Sequence, residues 1–252
     1  MTDKQVFDFN NPNSVIIAKT QHHPITAWSA SRHESFKTCP MKLQFEVVDK
    51  VRSPDNEATN RGTLVHKQCE DYLNGEIDEI TDPGINAERV QRYIDEIKES
   101  EDEVITEQQW GFRSDWSPCG FFDKDCWLRV ILDVGVIGED SARVIDWKTG
   151  KFSDYSKFKY ATQAMIYAVV TAMRYPKLGF VETVIYPTDG NHLPLVQRYN
   201  RKQIMELLPI VAKYGFDITN SNEFPPTPSK SNCRFCEAQI QQLCDFRDSA
   251  YE

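Results

Sequence analysis

The sequence predicts an α/β fold in which a central mixed sheet is flanked by helices. Three observations carry that prediction. Apolar residues recur at helical spacing between Trp28 and Ser100, short aromatic and β-branched runs begin at Val104, and helix-like and strand-like stretches alternate from Lys157 onward.

The elements follow in order. Residues 1–27 read as a polar leader without a clear period. Ser29 or Ser31 can cap a helix that runs through an amphipathic stretch to Val48, with Pro40 kinking it or starting a second helix. The segment Glu57 to Leu73 places Leu64, Val65, Gln68 and Tyr72 at roughly helical spacing, and another helix is expected over Ile85 to Ser100. Trp110, Phe112, Phe121, Phe122 and the run Trp127 to Ile137 read as strands, with turns at Ser117-Pro118 and Asp123-Lys124-Asp125. Leu128 to Ile137, a turn at Gly138 to Ser141, and Ala142 to Lys148 form a hairpin that brings Asp133 and Asp146 toward one region of the sheet. A helix from Lys157 to Arg174, strands near Phe180 to Tyr186 and Leu193 to Tyr199, and a helix from Arg201 to Tyr214 complete the core. The Phe224-Pro225-Pro226-Thr227-Pro228 linker then leads to a cysteine-rich tail.

The expected organisation is one domain over 28–252, made of a helical segment (28–102), an α/β core (103–220) and the tail (221–252). A composition of 40% hydrophobic and 12% aromatic residues suits a packed core. No run of eighteen apolar residues occurs, and Met1 to Lys19 lacks a basic segment followed by an apolar one, so neither a membrane span nor a secretory signal is expected. The expected compartment is the cytoplasm, or the host's if the source is viral. A net charge of -9 speaks against an all-round basic surface, yet Lys148, Lys151, Lys157 and Lys159 lie close together and offer a local basic groove.

Asp133, Asp146 and Lys148 carry the chemistry. Phosphodiester hydrolysis needs a divalent cation held by oxygen ligands on rigid strands, and an ammonium beside two carboxylates can orient water or stabilise the pentacovalent phosphate. Val144-Ile145-Asp146-Trp147-Lys148-Thr149-Gly150-Lys151, with Asp133 thirteen positions before Asp146, resembles the signature of RecB-like nucleases of the PD-(D/E)XK type. Arg61-Gly62-Thr63-Leu64-Val65-His66 is similar to that family's G-T-x-x-H segment, and Gln163 to Tyr167 to its Q-x-x-x-Y segment. The resemblance spans residues 29 to 244 and implies a PD-(D/E)XK, restriction-endonuclease-like core.

It further implies Mg2+ or Mn2+ held by His66, Asp133, Asp146 and the Trp147 carbonyl, with Lys148 as catalytic cation and Gln163, Tyr167 and Lys151 binding substrate. The implied activity is exonucleolytic, on single-stranded or end-containing DNA in recombination, repair or phage DNA processing. Glu107 reads as a surface acid on the strand before the hairpin, at a position where relatives can carry an acid. One departure is that Ile131 stands where the family often has glycine two residues before the first acid, while Gly135 follows it.

Seven cysteines with no export signal do not read as a disulfide framework. Cys233, Cys236 and Cys244 cluster near the end, and Cys39-Pro40 lies far upstream; four thiolates hold either zinc or an iron–sulfur cubane, and spacing alone does not separate them. Resemblance to the cluster-bearing RecB-like nucleases, AddB-type and CRISPR-associated members among them, implies a 4Fe-4S cluster joining the N-terminal helical segment to the tail, with structural Zn2+ as the alternative. Cys69, Cys119 and Cys126 read as ordinary buried thiols. With no G-x-x-x-x-G-K-[ST] motor motif, the chain acts alone or joins a separate helicase or recombinase. The rival reading is a non-catalytic DNA-binding subunit that keeps the nuclease fold; intact Asp133, Asp146 and Lys148 weigh against it. An iron–sulfur redox protein would leave that acid–lysine set unexplained.

Overall fold

A computed structural model describes residues 4–7, 15–18, 23–51, 57–234 and 236–251. Strands are β1 (Lys4–Phe7), β2 (Val15–Ala18), β3 (Glu103–Phe112), β4 (Pro118–Cys119), β5 (Leu128–Ile137), β6 (Ser141–Lys148), β7 (Phe180–Pro187) and β8 (Leu195–Asn200). Helices are α1 (Ala30–Thr38), α2 (Pro40–Val47), α3 (Glu57–Asn74), α4 (Ala87–Lys98), α5 (Asp154–Arg174), α6 (Arg201–Thr219), α7 (Lys230–Arg234) and α8 (Ala238–Leu243). β1 and β2 pair antiparallel, so the polar leader holds a two-stranded ribbon that its sequence did not announce.

The other six strands form one sheet in the order β4-β3-β5-β6-β7-β8. β6 and β7 are parallel, while β5–β6 and β7–β8 are antiparallel, which makes the sheet mixed. A parallel pair needs a long crossover, and α5 supplies it between β6 and β7. The chain divides into two compact units. One comprises Asp55–Trp110 with Val130–Val211, the other Met1–Pro54 with Gly111–Arg129 and Ala212–Glu252.

In the first unit, α3 buries Val65, Cys69, Tyr72 and Leu73, and α4 buries Val90, Ile94 and Ile97, each set on one helical face. These pack with Val134, Val136, Ile145, Trp147, Val184 and Tyr186 of the sheet. Each buried valine or isoleucine contributes about 1.5–3 kcal/mol. Because strand side chains alternate, Ile185 points the other way, toward Phe152 and Ala164 of the α5 side. Asp146, between Ile145 and Trp147, faces that second side too. Ser153 caps α5 by accepting from the Ser156 amide, so the helix starts at Asp154 rather than the expected Lys157.

In the other unit, Ser29 caps α1 by accepting from the Arg32 amide. Cys39 is extended at φ -160°, and Pro40 opens α2, so the chain makes two helices there. The tail returns to them: Thr227 Oγ1 and Asn232 Nδ2 both donate to the Thr38 carbonyl, at 2.7 and 2.9 Å. α6 runs past the expected Tyr214 to Thr219 despite Pro209 inside it. Gly215 lets the Trp28 and Trp127 rings approach where any Cβ would collide, and Trp127 Nε1 donates to Thr219 Oγ1 at 3.0 Å. Two expectations fail near here. Pro118–Cys119 is a short strand, and Phe121 and Phe122, expected as strand, lie in a turn with Phe122 78% exposed. Aromatic composition misled because this turn is pinned by Asp123, whose carboxylate accepts from the Gly120 amide at 2.8 Å.

Candidate active site

The expected catalytic residues all lie in the unit Asp55–Trp110 with Val130–Val211. The β5–β6 register runs from Ile137↔Ala142 to Val134↔Ile145. At the next residue the Asp133 side chain takes over: its Oδ2 accepts the Trp147 amide at 2.8 Å. The same oxygen lies 3.3 Å from His66 Nδ1. Asp133 thus ties β5, β6 and α3 at one point, and is itself 9% exposed.

Asp146 is 3% exposed. Its Oδ1 accepts from Gln163 Nε2 at 2.9 Å and from the Tyr167 hydroxyl at 2.8 Å. Gln163 Nε2 is also 2.7 Å from the Tyr167 oxygen. Tyrosine has one proton, so Tyr167 gives it to Asp146 and accepts from Gln163. Residues four apart share a helix face, which is why Gln163 and Tyr167 of α5 arrive together. Expected to bind substrate, they meet Asp146 with their polar atoms, on the strand that carries the acid–lysine pair. The other Asp146 oxygen is 2.5 Å from Lys148 Nζ, and that ammonium lies 5.3 Å from the Tyr160 ring. Trp147 turns its side chain the other way, edge-on to Tyr93 and Tyr186.

Burial pushes the Asp146 carboxyl up, Lys148 pulls it back and the Asp133 charge adds to the rise. Burial works against the Lys148 ammonium, but Asp146 more than compensates and its pKa is raised, so it stays protonated. His66 is treated likewise: burial lowers it, and the hydrogen bond and charge of Asp133 turn the net shift upward.

A third acid joins them. A ring nitrogen of His66 and carboxylate oxygens of Glu107 and Asp133 lie within 4.8 Å of one another, a donor set that suits a hard divalent cation. Desolvation, then the charges of Asp133 and Glu70, push the Glu107 carboxyl up, a crowding that a cation would relieve. Glu107 has φ 46°, left-handed backbone that costs a non-glycine residue about 1–3 kcal/mol and re-aims its side chain. That backbone conformation is what sequence reading missed. An acid in a strand is visible, its left-handed backbone is not. The expected ligand Asp146 lies outside this trio, engaged by Lys148, Gln163 and Tyr167.

The loop after Lys148 is clamped. Thr188 donates its amide to the Lys148 carbonyl at 2.9 Å. Asp189 accepts from the amide of Gly150, which sits at φ 84°, and from both Nη atoms of Arg61 at 2.8 and 3.0 Å. Arg61, on the helix of His66, also reaches Asp82 at 2.9 Å. Lys151 follows, exposed.

In the other unit, Cys39, Cys233, Cys236 and Cys244 line one cavity with Met41, Phe45, Pro226, Ile240 and Phe246. All four thiols are free, and Cys236 lies close enough to Cys39 and Cys244 to feel their charge. Four cysteines lining one apolar-walled cavity are of a residue type that suits a thiolate-bound metal centre. Of the three remaining cysteines, Cys69 and Cys126 are buried, with burial pushing the Cys69 thiol up to about 12. Cys119 is only partly buried, which departs from the expectation.

Comparison with known proteins adds the following. The chain resembles a candidate exonuclease from Eubacterium rectale at 13% identity, over 89% of this chain and 88% of that one, with a TM-score of 0.45. It resembles the alkaline exonuclease LHK-Exo from Laribacter hongkongensis at 13% identity, over 90% of this chain and 95% of that one, with a TM-score of 0.39. A comparison with curated proteins gives no match. At such identities and scores it is the family model that assigns the chain: residues 27–245 match that of the PD-(D/E)XK nuclease superfamily. Carrying the acid–lysine hairpin on a six-stranded mixed sheet, the chain belongs to the PD-(D/E)XK nuclease superfamily and is a nuclease enzyme.

Proposed function

We propose that the chain is a divalent-metal-dependent DNA exonuclease that works on single strands or free ends, and that Asp133, Asp146, Lys148 and His66 are its catalytic residues. The observation that carries this reading is the convergence of His66, Glu107 and Asp133 within 4.8 Å beside the Asp146–Lys148 pair. Mg2+ or Mn2+ held there would neutralise phosphate charge and supply hydroxide at neutral pH.

The chain's own groups do the rest. His66, Glu107 and Asp133 would hold the cation, with Asp146, engaged here by Lys148, Gln163 and Tyr167, and the Trp147 carbonyl as further oxygen donors. Lys148, kept protonated by Asp146, meets the attacking water or the charge that grows on the phosphate. Gln163 and Tyr167 steady Asp146, and through it the lysine, beside the substrate strand; Lys151 offers a charge to a neighbouring phosphate. The four cysteines take a 4Fe-4S cluster, which fixes the tail to the α1–α2 segment, with zinc as the alternative occupant. A separate helicase or recombinase supplies the ends, in repair, recombination or phage DNA processing. No helix of the described residues is long and apolar enough to cross a membrane. Cytoplasmic placement is part of this proposal.

The deciding experiment gives the purified protein end-labelled single- and double-stranded DNA with Mg2+, Mn2+ or chelator. Release of mononucleotides from ends with either metal and none with chelator is expected. Cutting of closed circles, or cleavage unaffected by chelator, would overturn the reading.

A further inference from the structure

The unit that holds the cysteines also holds a cationic corner that the acid site does not use. Trp28 pairs with Leu128, and the Arg129 amide donates to the Trp28 carbonyl at 2.9 Å. Arg32, one helical turn after Trp28, turns back and donates to the Ala27 carbonyl at 2.6 Å. Both residues thus flank the Ala27–Trp28 segment, one through its backbone and one through its side chain. Burial first, and the charge of Arg129 second, lower the Arg32 pKa, while Glu46 acts the other way. Among the described residues neither arginine makes an ion pair, and the Arg129 Nε is buried without a hydrogen-bond partner. Acids of the adjacent turn do not neutralise them, because Asp123 and Asp125 pair with Arg113 at 3.9 and 2.5 Å.

Beside this corner stands an aromatic step. The Arg129 guanidinium lies 5.6 Å from the Phe121 ring. Phe121 meets Phe122 edge-on at 5.0 Å. Phe122 is 78% exposed at a turn tip that the Asp123 carboxylate and the Asp123 and Cys126 amides hold in place. An uncovered phenylalanine on a rigid turn and a pair of arginines without an ion pair among the described residues, in a chain of net charge -9, call for a partner that is both anionic and flat. A nucleotide in a single strand is both, since its phosphate meets the guanidiniums and its unstacked base has a face to offer.

We propose that this corner binds single-stranded DNA, with one phosphate on Arg32 and Arg129 and the adjoining base against Phe122. The proposal rests on the nuclease reading. A duplex would satisfy the arginines but not the ring, because its bases are already stacked.

The test measures fluorescence anisotropy of a labelled oligothymidylate with the full chain in chelator, so that cutting does not intervene. Phe122→Ala is expected to weaken binding about tenfold, the scale of one lost base stack, and to leave duplex affinity unchanged. Arg129→Gln and Arg32→Gln should weaken both and lower the salt slope by about 0.7 for single strands. Leu193→Ala, another exposed apolar change, serves as control and should match wild type. If Arg129→Gln fails to fold, Phe122→Ala decides alone. Wild-type affinity in Phe122→Ala overturns the proposal, and an RNA oligomer bound more tightly than DNA overturns its choice of partner. Displacement of the oligomer by inorganic phosphate or thymidylate as effectively as by unlabelled strand shows a terminal-phosphate site instead. If wild type binds and cleaves DNA while these variants bind unchanged, this proposal alone falls; if wild type does neither, the nuclease reading falls with it.

Discussion

His66 and His33 sit in different units and meet opposite surroundings. His66, on α3, faces the Asp133 carboxylate at 3.3 Å and is held above its usual pKa against the pull of burial. His33, on α1, is 9% exposed, stacks on Tyr214 with ring centroids 4.0 Å apart, and its Nδ1 has no hydrogen-bond partner among the described residues. Burial, helped by Lys37, lowers its pKa to about 4. The comparison separates a region assembled around charge from one assembled around rings and thiols. In the acid site the polar groups bind each other, so that Asp146, Lys148, Gln163 and Tyr167 already form a network without a cation. In the other unit, order comes from Trp28, Trp127 and Phe216 packed together and from the tail returning to Thr38. A substitution should therefore cost chemistry in the first region and stability in the second.

The largest effect tests the first half of that statement. Asp146→Asn should reduce cleavage at least about a hundredfold while the protein stays folded, because the amide is a weaker ligand for a hard cation and no longer pairs with Lys148. Lys148→Ala should be equally inactive yet still bind Mn2+, as read by calorimetry. Full Mg2+-dependent activity in a contaminant-free Asp146→Asn preparation would show that the chemistry lies elsewhere.

The second half is tested at the cysteines. Cys39→Ser or Cys233→Ser should lower the melting temperature by about 5–10 °C, since a bound cluster cross-links segments far apart in sequence and its binding feeds into folding. Protein prepared without air should be brown and contain iron and acid-labile sulfide. An unchanged melting temperature, or stoichiometric zinc with no iron, would deprive this region of its pin.

A smaller effect is expected at the clamp that borders the acid site. Asp189→Asn removes the charge that meets both Arg61 Nη atoms, so the Gly150 loop should loosen. A cut in kcat of about threefold to tenfold is expected, with a melting temperature within a few degrees of wild type. The Asp189 carboxyl is held below its usual range by Arg61 and the Gly150 amide despite burial, so its stabilisation is present at neutral pH and fades as pH falls toward the folded value. An Asp189→Asn protein as active as wild type at every pH would release the clamp from any part in catalysis.

How much of this was legible beforehand follows from which forces are local. The hairpin acids were readable because alternating strand residues and a Gly-Glu-Asp-Ser turn fix their placement within a few residues. Helix starts were readable from Ser29 and Pro40 for the same reason. Glu107 was not, since its placement depends on one left-handed residue. Phe121 and Phe122 look like strand, yet the Asp123 carboxylate makes them a turn. The engagement of Asp146 by Gln163 and Tyr167 required knowing that α5 crosses back over β6, a tertiary fact. That Cys39, Cys233, Cys236 and Cys244 line one cavity could not be read from spacing, which leaves their grouping open; family likeness alone suggested the set.

The smallest effect concerns His33. Its folded pKa of about 4 lies below the ordinary value of 6.5, so the unfolded chain takes up a proton that the folded chain refuses. The neutral ring's contribution is fully present above pH 6.5, declines as pH falls from 6.5 to 4, and does not change further below that. Protonation would place a second N–H in a site where Nδ1 already lacks a partner among the described residues, against the Tyr214 ring and near Lys37, with the Asp217 charge opposing. His33→Phe keeps a ring for Tyr214 and removes the titration. Its melting temperature should fall less than that of wild type between pH 7 and pH 4.5, by about a few degrees, while at pH 7 the two should nearly agree. His66→Phe is the counter-test. There the folded pKa is raised, so the charged imidazole adds stability at low pH that is lost as pH rises through the folded value, and removing it should narrow the margin at low pH instead. Parallel pH profiles for wild type and His33→Phe would mean that the ring is solvated in the folded protein, and the contrast between the two histidines would disappear.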